Sequence, residues 1–372
     1  MNDGARRTGG LDPARDRAQR RSRWGRRSLY GFPRRERGDS EPDGGSVYGA
    51  LDLGTNNCRL LVARPSGDGF HVIDAFSRII RLGEGISASG RLNDAAIERA
   101  VEALGICRDK MKNRGVTRAR LIATEACRAA ANGAEFRARV VEEVGLELEV
   151  IDRETEAELA ASGCTPLIDP QAAGVILFDI GGGSSELVRL ARSLPVERGP
   201  PLPQIEAWAS LPVGVVTLAE RHGGHQVTRD IYEAMVAEVT VSVDAFVAQN
   251  GGRDIEQVHM LGTSGTVTTI AGVHLDLRRY ERRRVDGCWM SDEQVTGVIE
   301  RLLDMSYEER AANPCIGNER ADLVLAGCAI LEAIRRAFPC RRLRVADRGL
   351  REGMLVKMMR QDGIWGEQMT PA

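Results

Sequence analysis

The sequence predicts an α/β fold of two domains with a cleft between them. Three observations carry that expectation. Strand-like apolar runs alternate with segments of helical spacing along most of the chain. An Asp-x-Gly turn between two apolar runs occurs twice, once in each half. The length of 372 residues suffices for two cores.

The first hairpin reads Tyr48-Gly-Ala-Leu-Asp52-Leu-Gly54-Thr55-Asn56-Asn57-Cys-Arg-Leu-Leu-Val62, and the second Val175-Ile-Leu-Phe-Asp179-Ile-Gly181-Gly182-Gly183-Ser184-Ser185-Glu186-Leu-Val188. Glycine tolerates positive φ and lets backbone N–H groups approach an anion closely. An Asp closing a buried strand is costly unless a cation or hydrogen-bond donors face it. A third turn, Gly262-Thr263-Ser264-Gly265-Thr266, follows the run Val258-His-Met. One such turn is commonplace; three after strands suggest a phosphate clamp around a metal.

The remaining elements follow in order. Residues 94–111 have helical spacing, with Asn93 or Asp94 as N-cap. A strand over 120–123 leads into Thr124-Glu-Ala-Cys-Arg128. A helix over 134–144 ends at Gly145, and a strand over 146–151 runs into a helix opening with Glu154 and Glu156, where acidic residues suit the dipole. Residues 166–173 read as a linker. A strand over 208–211, a helix after Pro212, a long helix over 229–249, helices over 290–305 and 321–338, a strand over 343–346 and a final helix complete the chain. The domains are expected over 47–165 and 166–372, with the last helix packing back on the first.

Composition bounds the function. No run of 18 apolar residues and no apolar leader occurs, so no membrane span or secretion is expected, and the location is read as cytoplasmic. Eight scattered cysteines without Cys-x-x-Cys read as buried thiols. There is no Gly-Lys-Ser/Thr, hence no P-loop. The net charge of −2 does not indicate a nucleic-acid partner. Residues 1–46 carry twelve Arg against seven acids, a leader too polar to fold alone. The cluster Arg278-Arg-Tyr-Glu-Arg282-Arg-Arg284 is expected at the surface, as a basic rim for a polyanion.

The paired hairpins resemble the actin, Hsp70 and sugar-kinase superfamily. Within it the chain is similar, over about 47–359, to the exopolyphosphatase and guanosine pentaphosphate phosphohydrolase (Ppx/GppA) family. The carriers are Asp52-Leu-Gly-Thr-Asn-Asn57, Thr124-Glu-Ala-Cys-Arg128, Glu154-Thr-Glu156-Ala, Asp179-Ile-Gly-Gly-Gly-Ser-Ser-Glu186, Gly262-Thr-Ser-Gly-Thr266 and Asp347-Arg-Gly-Leu-Arg-Glu-Gly353. The resemblance implies two actin-like (ribonuclease H-like) ATPase-type domains and hydrolysis of terminal phosphoanhydrides, with inorganic polyphosphate or guanosine pentaphosphate as substrate. It implies Glu156 as catalytic base and Arg128 as a phosphate-binding arginine. Asp52, Asp179 and Glu186 would organise Mg²⁺, with Mn²⁺ as the alternative ion. Gly54, Thr55, Asn56, Asn57, Gly181, Gly182, Gly183, Ser184, Ser185, Ser264, Gly265 and Thr266 would face phosphate. Thr55-Asn56-Asn57 stands where many relatives have Ser-Asn-Ser, which keeps the donors. Longer relatives carry a further helical domain with a His-Asp motif, absent from these 372 residues, so processivity on long chains is not implied.

The residues suit that chemistry. Hydrolysis needs charge neutralisation, a phosphorus held in line and an aimed water. Amide nests and an arginine can cradle oxygens, and a carboxylate outside the metal set can activate water. A sugar-kinase-type phosphotransferase and a non-catalytic sensor are the rival classes. The choice between the two substrates, and whether the chain forms a homodimer, stay open at this level.

Overall fold

The computed structural model describes residues 45–192, 196–250 and 257–366. All but the last two residues of the Arg-rich leader thus lie outside the described residues. The strands are β1 (Tyr48–Leu53), β2 (Asn57–Ser66), β3 (Gly69–Ile79), β4 (Arg118–Ala123), β5 (Glu149–Val150), β6 (Gly174–Ile180), β7 (Ser185–Ala191), β8 (Ile205–Leu211), β9 (Val258–Thr263), β10 (Trp289–Ser291) and β11 (Arg342–Val345). The helices are α1 (Ile86–Ser89), α2 (Asp94–Asn113), α3 (Glu125–Ala129), α4 (Gly133–Val144), α5 (Arg153–Cys164), α6 (Val215–His222), α7 (Arg229–Asn250), α8 (Ser264–His274), α9 (Arg282–Val285), α10 (Asp292–Asp304), α11 (Tyr307–Ala312), α12 (Val324–Ala337) and α13 (Leu350–Gln361).

Two mixed sheets result, ordered β3-β2-β1-β4-β5 and β10-β11-β9-β6-β7-β8. Each contains the same four-strand unit. In the first, β1 pairs antiparallel with β2, β2 antiparallel with β3, and β1 parallel with β4. In the second, β6, β7, β8 and β9 repeat those relations. The duplication read from the hairpins therefore extends to whole sheet units.

Helix α2 shows why the periodicity was legible. Asn93 caps it by accepting from the Ala96 N–H at 2.8 Å, and Ala96, Ala100, Ala103, Leu104 and Cys107 are buried on one face. Helix α4 ends, as expected, at Gly145, whose φ is 71°. Several elements differ from the sequence reading. Strand β3 was not foreseen, because it is half-buried and its apolar residues do not alternate cleanly. The strand expected over 146–151 pairs only at Glu149–Val150. The helix expected from 290 starts at Asp292, since Ser291 accepts from the Gln294 N–H and the preceding residues pair as β10. The helix expected from 321 starts at Val324.

Helix α13 leaves the second sheet's end of the chain and packs on β1. Tyr48, Ala50, Leu61, Met354, Leu355 and Met358 share one buried cluster, and the Tyr48 hydroxyl donates to Asp362 at 2.7 Å. Helices α5 and α13 cross in backbone contact through two glycines. A Cβ on Gly163 would lie 2.0 Å from the Gly349 oxygen, and one on Gly353 would lie 2.0 Å from the Leu159 oxygen. Any larger residue would push the helices apart, and with them Glu156 and Glu352. All eight cysteines are free thiols. No helix among the described residues is long and apolar enough to cross a membrane.

Candidate active site

A cleft of about 660 Å³ opens where the two hairpin turns, the start of α8 and the start of α13 meet. The two turns close in the same way. The Gly54 N–H donates to the Asn57 oxygen at 2.9 Å, and the Gly181 N–H donates to the Ser184 oxygen at 3.0 Å. Thr55 packs directly on the other turn: a Cβ on Gly182 would come within 2.9 Å of the Thr55 Cβ. Only glycine permits that approach.

The second turn is held from behind by α6. The Val215 and Val216 N–H groups donate to the Gly181 and Gly182 oxygens, each at 2.9 Å. In a trans peptide the carbonyl and the next N–H point in opposite directions. The Gly182 and Gly183 N–H groups are therefore aimed away from α6, on the side where the cleft lies. Gly214 makes this fit, since a Cβ there would sit 2.4 Å from the Gly182 carbonyl.

Asp52 and Asp179 stand one residue before the ends of β1 and β6 and line the cleft. Burial raises the pKa of both. Arg59 pulls both back, Arg351 pulls Asp52 back, and the Ser264 hydroxyl donates to Asp179 Oδ1. Ser264 has φ 75°, an unusual conformation for a residue with a side chain, and it opens α8 with Gly265 and Thr266 beside it on the cleft wall. Glu186 is buried and accepts from Ser184 at 2.9 Å and Ser210 at 3.1 Å. Burial, then the Asp179 charge, push its pKa up to about 7.

Glu156, on the first turn of α5, is 7% exposed and lines the same cleft. Burial, followed by the charge of Glu186 and Asp52, raises its pKa well above the carboxylate range. Arg128 opposes that shift through a contact of 3.1 Å. A carboxylate with a raised pKa is the better proton acceptor of its kind, which suits a general base.

Arg128 itself does not line the cleft as expected of a phosphate ligand. Its guanidinium is engaged by Glu125 at 2.6 and 3.0 Å, by the Ile151 oxygen at 2.6 Å and by Glu156. In this arrangement it pairs with Glu156 and Glu125 together. Ser185 is also turned away, its hydroxyl donating to the Val213 oxygen at 2.8 Å in a fully buried position. The remaining expected residues, Asp52, Gly54, Thr55, Asn56, Asn57, Glu156, Asp179, Gly181, Gly182, Gly183, Ser184, Glu186, Ser264, Gly265 and Thr266, all line the cleft.

Arginines that the sequence reading missed supply the positive wall. Arg59, Arg320 and Arg351 reach the cleft. Arg59 lies opposite Asp52 across β1–β2, seven residues on, as Glu186 lies opposite Asp179. That common spacing was the available signal. The Arg320 Nη1 would be 3.9 Å from a Cβ on Gly265, which sets it at the start of α8. Burial, with Arg59 adding, lowers its pKa. Nothing local in the sequence marks it.

The basic rim needs one correction. Arg278, Arg279, Arg283 and Arg284 are exposed. Arg282 turns inward, donating to the Asp347 oxygen at 3.0 Å and to Glu352 at 3.1 Å. The buried Glu352 and the half-buried Asp347 carboxyl groups draw it inward.

The donor chemistry fits a hard divalent cation. Asp52, Asp179 and Glu186 offer oxygen only, and each is driven toward the protonated form by burial, which a cation would reverse. Among the described residues no three His, Cys, Asp or Glu groups converge as a direct chelate. A further polar atom in the cleft, Asn56 Oδ1, is buried without a hydrogen-bond partner, which leaves it for a bound donor.

Residues 61–362 match the model of the Ppx/GppA phosphatase family. The chain is 27% identical over 327 residues to exopolyphosphatase 2 of Mycobacterium tuberculosis, covering 83% of this chain and 97% of that protein. It is similar to the crystal structure of the Aquifex aeolicus Ppx/GppA family member, with a TM-score of 0.69 and 28% identity over 85% of this chain and 98% of the other. An exopolyphosphatase from Cytophaga hutchinsonii shares the fold at a TM-score of 0.74 and 24% identity, covering 85% and 98%.

Proposed function

Since the chain belongs to the Ppx/GppA phosphatase family, we propose that it hydrolyses terminal phosphoanhydride bonds, releasing orthophosphate from inorganic polyphosphate. The observation that carries this reading is the setting of Glu156: a buried carboxylate of raised pKa that faces a cleft walled by glycine turns and arginines. The amides of Gly182 and Gly183, with Arg59 and Arg320, receive the oxygens of the terminal phosphate. Glu156 accepts a proton from the attacking water, and Arg128 keeps it oriented. Asp52, Asp179 and Glu186 would hold Mg²⁺, or Mn²⁺ in its place. The chemistry a bound cation supplies is neutralisation of phosphate charge. General-base help is worth roughly 10²–10⁴-fold in rate.

Guanosine pentaphosphate offers the same terminal anhydride and is the second candidate. The Tyr280 ring on the cleft wall is the feature that favours a substrate with a base. One parallel experiment decides. Phosphate release from long-chain polyphosphate and from guanosine pentaphosphate is measured with Mg²⁺ and no acceptor. Faster turnover of polyphosphate is expected. A need for ATP and an acceptor would replace the hydrolase with a phosphotransferase.

A further inference from the structure

We propose that Arg81 is a positioning residue that clasps the two halves of the cleft and thereby sets Arg320 toward the substrate phosphates, an inference that rests on the function proposed above. The geometry is a short chain of direct contacts. The Ile80 and Arg81 N–H groups donate to the Asn56 oxygen at 2.9 and 3.1 Å, and the Gly83 N–H donates to the Thr55 oxygen at 2.9 Å. The segment 80–83 is thus fastened to the first phosphate turn. Gly83 sits so close that a Cβ there would lie 2.2 Å from Thr55 Cγ2.

From that base the Arg81 side chain reaches across to the other sheet's half. It binds Asp322 bidentately at 2.8 and 3.0 Å and the Glu319 oxygen at 3.0 Å. These two residues bracket Arg320. A second strut runs the same way, from the Gly85 N–H to Glu220 of α6 at 2.8 Å, and α6 is the helix that backs the second turn. Arg81 also has φ 47°. A residue with a Cβ holds that conformation only where its surroundings enforce it. The Asp322 partner raises the Arg81 pKa, and both side chains are partly shielded from water. A planar bidentate pair of this kind fixes orientation as well as distance.

Arg81 touches no reacting group, so its loss should weaken substrate binding more than the chemical step. Arg81→Gly is the informative variant. Glycine adopts positive φ freely, so the backbone turn survives while the guanidinium is removed. Wild type, Arg81→Gly, Asp322→Asn and the double variant are assayed with Mg²⁺ and polyphosphate, and amide exchange is followed over residues 316–324. Each single variant should raise KM about tenfold with kcat held within about threefold, the range expected for losing one charged hydrogen-bonded pair. The double variant should match Arg81→Gly, which already removes the Asp322 pair together with the Glu319 contact. Exchange over 316–324 should quicken in Arg81→Gly. An unchanged KM, multiplicative effects in the double variant or unchanged exchange would each overturn the clasp. If wild type releases no phosphate from either candidate substrate, the proposed function fails, and the exchange comparison still decides the clasp.

Discussion

The two hairpins are built alike and charged differently. Both end a strand in Asp, close the turn with the same N–H to oxygen bond and return on a paired strand. Seven residues after the Asp, the first has Arg59 and the second has Glu186. The first turn therefore sets a cation beside its carboxylate, and that cation opposes the upward shift that burial imposes on Asp52 and on Asp179. The second places two carboxyl groups side by side, and the Asp179 charge helps lift Glu186 to about 7. One duplicated scaffold thus offers one hairpin that carries a cation beside its carboxylate and one that carries paired carboxyl groups. Glu156, raised by Glu186, belongs to the acidic side.

This division can be broken most severely at the base. Glu156→Gln should lower kcat by about 10²-fold or more while substrate binding persists. A variant keeping over a tenth of the wild-type kcat would remove Glu156 from that role. Next comes the acidic hairpin. Asp179→Asn should raise the Mg²⁺ concentration needed for half-maximal activity by at least about tenfold. Its thermal midpoint without metal should not fall, since the charge removed is one that burial disfavours. Full activity of wild type in excess chelator would end the cation's part in the reaction.

On the other hairpin, Arg59→Gln should act on binding, with KM up by about tenfold and kcat less affected. A loss confined to kcat would show that the two halves are not divided as described. The balance between them can be sharpened by pH. Glu156 must be ionised to act, so kcat rises with pH through its raised pKa. Arg128 lowers that pKa, so Arg128→Gln should move the inflection upward, losing activity first on the acid side. An unmoved inflection would reduce Arg128 to packing. The smallest effect is expected at the surface. Replacing Arg283 and Arg284 by Gln should raise KM for long polyphosphate by about twofold and leave short chains unchanged, with a flatter salt dependence. Arg282 is excluded, because it braces Asp347 and Glu352.

Much of this was legible in the chain. The turns at 54 and 181–183 announce themselves because glycine's conformational freedom is a local property, and α2 and α4 because burial of one face imposes a period of 3.6. The order of motifs implied the family, and the hairpin spacing already held the Arg59 and Glu186 contrast. Strand β3 escaped because a half-buried strand without clean alternation has no period to read. The fates of individual arginines were decided elsewhere. The resemblance implied Arg128 as a phosphate ligand and the arginine cluster put Arg282 at the surface; in the structure the first pairs with Glu125 and Glu156 and the second turns toward Glu352. Arg81 meets Asp322 across 241 positions. A charged side chain settles where burial and the nearest opposite charge are most favourable, and those neighbours come from distant parts of the chain. The sequence by itself determined the scaffold, the turns and the acidic groups; only the tertiary structure decided which cation answers which carboxylate, because that pairing depends on distance and desolvation rather than on local conformation.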